Sequence, residues 1–145
     1  MKRRSLVATL PVALLAGLAR AEGKKPTAGV LTLDQYVVIA AILLDETRRA
    51  QDWVGAHPSD LGLASVAWEL STLRAEVAVR LVAPPNVKQA HMHLLLAMEN
   101  TTAAFDAAMR GDGKKAAQRM AAARTEEITM QNALDTAKVK LPSIK

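Results

Sequence analysis

The sequence contains no cysteine. That excludes disulfides, cysteine–zinc sites, covalent c-type haem and a lipid-bearing cysteine anchor. Aromatics are scarce: Tyr36, Trp53, Trp68 and Phe105 are all there are. A core must therefore be built mainly from Leu, Val, Ile, Ala and Met. The glycines are dispersed, so there is no loop to cradle a phosphate. No Ser-His-Asp set can be assembled, and no segment alternates with the period of a strand. The expectation is a non-enzymatic chain with no catalytic residues.

The N-terminus carries an ordered pattern. Met1, Lys2, Arg3 and Arg4 form a basic start, and Leu6 to Leu18 is apolar apart from Thr9, Pro11 and Gly17. Ala19-Arg20-Ala21 then places small residues before a cut ahead of Glu22. Basic, apolar, then small-x-small is what a signal peptidase reads, so residues 1–21 are expected to be an export signal. The apolar run is shorter than the roughly 20 residues a spanning helix needs, so no stable membrane insertion is expected after cleavage. Arg3-Arg4 fits the twin-arginine route as well as the general one, which leaves the route open. Localisation is expected to be the periplasm or the exterior.

Cleavage changes the charge. The chain has 19 Lys and Arg against 14 Asp and Glu; the leader holds four of the bases and none of the acids. The remainder is nearly neutral, 15 against 14. Its basic doublets, Lys24-Lys25, Arg48-Arg49 and Lys114-Lys115, are scattered. A nucleic-acid footprint needs a clustered basic face, so nucleic acid is not an expected partner.

Residues 22–31 read as a flexible lead and 32–141 as four amphipathic helices. The first is expected from about Leu33 to Gly55, with Thr32 and Gln35 as a capping box. Its seam is Leu33, Val37, Ala40, Leu44, Thr47, Gln51 and Val54. The second is expected from about Asp60 to Val82, stopped by Pro84-Pro85. Its seam is Leu63, Val66, Leu70, Leu73 and Val77, continuing to Arg80 or Leu81. The third is expected from about Asn86 to Arg110, with seam Val87, His91, Leu94, Met98, Thr101, Phe105 and Ala108, ended by Gly111 and Gly113. The fourth is expected from about Lys114 to Lys140, capped by Asp112. Its seam is Ala116, Met120, Ala123, Glu127, Met130, Leu134, Ala137 and Leu141; a shift of one residue would bring in Ile128 and expel Glu127. Alternating steps of three and four mark helices packed in a bundle. Short connections between helices of similar length argue an all-α, antiparallel up-down-up-down four-helix bundle. Val37 to Leu44 is apolar all round, which predicts that the first helix is the most buried. The fourth is rich in alanine, which predicts the weakest member.

Counting residues from the turns gives heights in the bundle. His91 is 21 residues before Asp112, and Tyr36 is 21 before His57; Glu76 and Arg80 are 19 and 23 beyond His57. Tyr36, Glu76, Arg80 and His91 are thus expected as a polar cluster near the Pro84-Pro85 end, with His91 bonded to Tyr36 or Glu76. That cluster is either structural or a small end-pocket that exchanges protons or holds a ligand. Glu127 is expected at the seam edge, reaching solvent or Arg124, because burying it would demand a partner. His91-Met92-His93 cannot clamp one ion, since alternate residues on a helix point about 200° apart. A di-iron bundle needs Glu-x-x-His pairs that are missing here. No metal and no cofactor is expected.

Two likenesses follow from particular residues. Leu31-Thr32-Leu33-Asp34-Gln35 resembles the LTxxQ motif of small exported helical chaperones of the Spy and CpxP type. Those proteins carry the motif twice, and Ile128-Thr129-Met130-Gln131 does not supply a second copy. The resemblance implies a client-cradling helical fold. Pro84-Pro85, Ala90-His91, Leu94-Leu95, Ala104-Phe105 and Gly111-Asp112 together resemble a pattern in uncharacterised exported bacterial helical-hairpin proteins. That resemblance implies compartment and fold, and no activity.

The function expected is an exported bundle that acts by contact with an unknown protein partner or as an envelope structural factor. The alternative is a periplasmic chaperone or stress protein, which an exposed apolar patch beside the fourth helix would favour. A second alternative is a bundle that binds haem or a metal.

Overall fold

The structure, a computed structural model, describes Gly29 and residues 31–144. The expected leader, 1–21, and most of the lead, 22–31, lie outside the described residues. Four α-helices account for the rest: α1 (Leu33–Ala56), α2 (Leu61–Arg80), α3 (Lys88–Met109) and α4 (Gly113–Thr136). A single 3₁₀ turn, Pro85–Val87, leads into α3. The fold is an all-α four-helix bundle, and no strand occurs among the described residues.

Local chemistry sets the helix ends. Thr32 accepts from the Gln35 N–H, and the Gln35 side chain accepts from the Thr32 N–H, a complete capping box. Asp60 caps α2 through the Leu63 N–H, and Asp112 caps α4 through the Lys115 N–H. α3 ends at Met109, and two residues on Gly111 turns the chain with a φ of 75°, open to glycine at no steric cost. The Gly111 and Asp112 N–H groups bond back to Ala108 and Ala107, closing a Schellman motif. α4 stops at Thr136, before the expected Lys140. Lys138 takes φ 58°, and Lys138 and Val139 bond back to Asp135 and Leu134. The turn folds Val139 onto Leu134, and both are buried in the same cluster. That burial is what shortens the helix.

Side-chain pairs give the directions. Tyr36 meets His91, Thr47 meets Met98 and Gln51 meets Thr101, so α1 and α3 run parallel. Arg48 meets Glu127 and Asp52 meets Arg124, so α1 and α4 run antiparallel. The bundle is up-down-up-down. α3 is its centre, packed close against α2 and α4. Alanine explains the approach: Ala97, Ala104, Ala107 and Ala108 of α3, and Ala116 and Ala123 of α4, are buried. α1 presents Tyr36, Leu43, Leu44 and Gln51 inward, and these larger groups hold its backbone further away.

The core has two apolar clusters. One, at the Pro84-Pro85 end, contains Tyr36, Leu44, Leu94, Met98, Met130 and Leu134. Leu31, assigned to a flexible lead by composition, packs against it. The other, at the opposite end, contains Val54, Ala64, Phe105 and Ala116. Between them lies a polar layer. Thr101 accepts from Gln51 Nε2 at 2.8 Å and donates to the Ala97 carbonyl at 2.9 Å, while Thr47 donates to the Met98 sulfur at 3.5 Å. A satisfied layer of this kind fixes the height of α1 against α3, since sliding would orphan buried polar atoms.

Three seams lie inward as the spacing predicts, Glu127 and not Ile128 included. α2 does not. It buries Ala64, Ala67, Ser71 and Ala78, and turns Val66, Leu70, Leu73 and Val77 outward. The small stripe wins because it lets α2 approach α3, which large side chains would prevent. The first helix is not the most buried either: Val38 and Ile42 are exposed.

Candidate functional site

The feature that the interior does not use is the outer stripe of α2. Val66, Leu70, Leu73 and Val77 are 54%, 45%, 58% and 45% exposed. Fully burying a Val or Leu side chain stabilises by about 1.5–3 kcal/mol, and with about half of each side chain exposed the isolated bundle forgoes roughly half of that at each position. Single exposed apolar residues are ordinary, but a contiguous row marks an interaction surface. Leu63 lies one step earlier on the same row and is partly covered. Steps of three and four therefore place five large aliphatic groups along one line of α2.

α1 widens this face. A groove of about 510 Å³ runs between α1 and α2, walled by Trp53, Ala50 and Arg49 on one side and by Leu63, Val66 and Leu70 on the other. Trp53 is exposed, and Ile42 and Val38 continue the outward side of α1. Charge sits at the margins. Arg74 reaches Glu46 at 3.6 Å across the groove, and Arg49 reaches Asp45 at 2.8 Å along α1. Glu69 and Glu76 line the far flank of α2, both exposed.

Of the expected polar cluster, the structure joins only two members. The Tyr36 hydroxyl lies 3.4 Å from His91 Nδ1, and the rings meet edge to face. Burial pushes the Tyr36 phenol up to about 12 and lowers His91 below its ordinary value. Both effects favour neutral forms, which suits a phenol donating to an unprotonated ring nitrogen. Glu76 and Arg80 do not join them. They pair with each other along α2 at 3.5 Å, both well exposed. With α2 turned to bury its alanines, the same height falls on the outside of the bundle.

Glu127 also differs from expectation. It is buried, 7% exposed, and takes Arg48 Nε at 2.7 Å; Arg124 pairs with Asp52 at 3.3 Å instead. The Arg48 side chain is half exposed, so the pair spans from the buried seam to the surface. A second pair, His93 to Glu126 at 2.7 Å, ties α3 to α4. Counting from Asp112 places His93 and Glu126 more than a turn apart in height, so the count alone misses them. Among the described residues no group of three or more His, Asp or Glu is placed to hold a metal ion. None of these pairs assembles a nucleophile, a base and an oxyanion site.

No family model matches this chain, and no curated protein or solved structure matches it significantly. The class is set by the fold: an all-α, four-helix bundle with an apolar outer face on α1 and α2. No helix among the described residues is long and apolar enough to cross a membrane.

Proposed function

We propose that this chain is an exported helical bundle without enzymatic activity, acting by protein–protein contact through the α1–α2 face. The observation that carries the reading is the row Val66, Leu70, Leu73 and Val77, left outside while the alanines beside it are buried. The basic, apolar and small-x-small order of residues 1–21 supports export to the periplasm or beyond. The pairs Arg48–Glu127, Asp52–Arg124 and His93–Glu126 brace helix to helix. The test is retention of envelope proteins on the immobilised chain, compared with a Leu70→Lys/Leu73→Lys variant. Loss of the same retained proteins in the variant supports the reading. Identical retention by both would end it.

The same face supports a second reading, a chaperone that shields unfolded clients. The patch expected for that role lay beside α4, but α4 exposes only Ile128 among its large apolar groups. The apolar row of α2 is the surface such a role would use. A light-scattering assay with an aggregating client separates the two: suppression by the wild-type chain, lost in the double-lysine variant, favours the chaperone.

A further inference from the structure

We propose that the partner covering the α2 row is a second copy of this chain, in a two-fold dimer with the two α2 helices parallel and in register. The inference rests on the contact reading above and names its partner.

The spacing is the first argument. Leu63, Val66, Leu70, Leu73 and Val77 advance by three, four, three and four residues. A mean step of 3.5 is the seam of a coiled coil, and such a seam fits a helix that bears the same one. α2 itself is such a helix. A surface that captures unfolded clients needs no register of this kind.

Charge supplies the second argument and the direction. Taking Leu63, Leu70 and Val77 as the first core position of each heptad puts Glu69 and Glu76 on one flank and Arg74 on the other. From Glu69 to Arg74 is the five-residue step that joins opposite flanks of parallel helices in register. Two symmetric pairs result, Glu69 of each copy to Arg74 of the other. The antiparallel arrangement would set the Glu69 and Glu76 flank against itself. In the single chain Arg74 lies in the α1–α2 groove, only 16% exposed and 3.6 Å from Glu46, so Glu69 of the second copy has to take the place of Glu46 or share the guanidinium with it.

Size is the third. The row from Leu63 to Val77 is about 21 Å long. With the width of two helices, the α1–α2 face projects on the order of 500 Å², below the roughly 800 Å² per partner of a standard interface. A reversible dimer that dissociates in the micromolar range is therefore expected.

The absence of cysteine makes the test clean, because one introduced thiol reports alone. In the purified full chain, Leu73→Cys should form a disulfide-linked dimer under mild oxidation, since parallel register places residue 73 opposite itself. Sedimentation velocity should show the wild-type chain passing from monomer to dimer over roughly 1–100 μM. Leu70→Lys/Leu73→Lys should weaken the dimer more than about ten-fold with an unchanged helical circular dichroism, because both residues are already exposed in the single chain. Four results would each overturn the proposal. The first is a monomer at the highest concentration, and the second a dimer indifferent to the lysines. The third is cross-linking only in a mixture of Val66→Cys and Val77→Cys chains, which marks antiparallel pairing. The fourth is a dimer in which the thiol of Leu73→Cys is labelled as fast as in the monomer, which places the α2 row outside the interface. A monomer whose double-lysine variant still loses envelope partners defeats the dimer and leaves the contact reading standing. A monomer whose variant loses nothing defeats both.

Discussion

The Tyr36 hydroxyl and Nδ1 of His91 lie 3.4 Å apart, with ring centroids 5.7 Å apart and planes at 69°. Tyr36 is fully buried, and burial raises its phenol to about 12. A raised value means the folded state holds the proton while the unfolded chain releases it near pH 10. Stability is complete below pH 10 and falls as the pH rises toward 12, by on the order of 2 kcal/mol. His91 is lowered, so its contribution is present above pH 6.5 and is lost as the pH falls below that value. Tyr36 is the only tyrosine, so the ultraviolet absorbance of tyrosinate reports it alone. Denaturant titration across pH should show both limbs, and Tyr36→Phe should abolish the alkaline one. At pH 7 that variant should cost no more than about 1 kcal/mol, the hydrogen bond being long. An alkaline limb that persists in Tyr36→Phe would show that another group causes it.

The two stripes of α2 should respond in opposite ways to size. Leu73→Ala removes an exposed side chain and should change the stability of the single chain by less than about 0.5 kcal/mol. Ala78→Leu puts bulk where α2 meets α3 and should cost about 1–3 kcal/mol. Leu94→Ala, in the apolar core, sets the scale at about 2–5 kcal/mol. Urea unfolding at dilute protein measures all three. A Leu73→Ala loss as large as that of Leu94→Ala would place Leu73 in the core and reverse the orientation of α2.

Much of the architecture was legible because seams at three-and-four spacing lie inward on α1, α3 and α4. Heights were legible too: counting from the turns brought Tyr36 to His91. Rotation about the helix axis was not legible for α2, which carries two stripes, one of alanines and one of large aliphatics. Ranking by hydrophobicity chose the larger, whereas close approach to an alanine-rich neighbour selects the smaller. That error displaced Glu76 and Arg80 as well, because Arg80 continues the Leu73–Val77 row and leaves the interior with it. The α1–α2 face, the main feature of the candidate site, was hidden by the same misreading. Glu127 was placed correctly on its seam, but its partner was misjudged, since Arg48 stands across on α1 and sequence distance carries no sign of it.

The Arg48–Glu127 pair should behave asymmetrically. Arg48→Ala leaves a buried carboxylate alone, with its second oxygen Oε1 already lacking a hydrogen-bond partner. The expected cost is about 1–3 kcal/mol, below that of a fully buried pair because Arg48 is half exposed. Replacing both, as Arg48→Met with Glu127→Leu, removes the charge that needs compensation and should be neutral or stabilising. A thermal-melt cycle of the wild type, both single variants and the double variant measures the coupling. Purely additive losses would mean that the 2.7 Å contact contributes nothing.

The two Schellman ends differ in one respect that predicts opposite responses to glycine chemistry. Gly111 and Lys138 both sit at positive φ, 75° and 58°, but only the first lacks a Cβ. A side chain in this conformation costs about 1–2 kcal/mol for an ordinary L-residue. Gly111→Ala meets no neighbouring atom within 4 Å, so its penalty should be conformational alone, about 1 kcal/mol lost. Lys138→Gly relieves the strain at the end of α4 and should gain about 0.5–1 kcal/mol, the added freedom of the unfolded chain taking back part of the relief. The gain also tests the turn itself, because Val139 returns to Leu134 only if residue 138 is left-handed. Melting temperatures of the two variants should move apart from the wild type in opposite directions. A Lys138→Gly variant that melts lower would mean that α4 continues through residue 138, toward the longer helix its sequence period suggests.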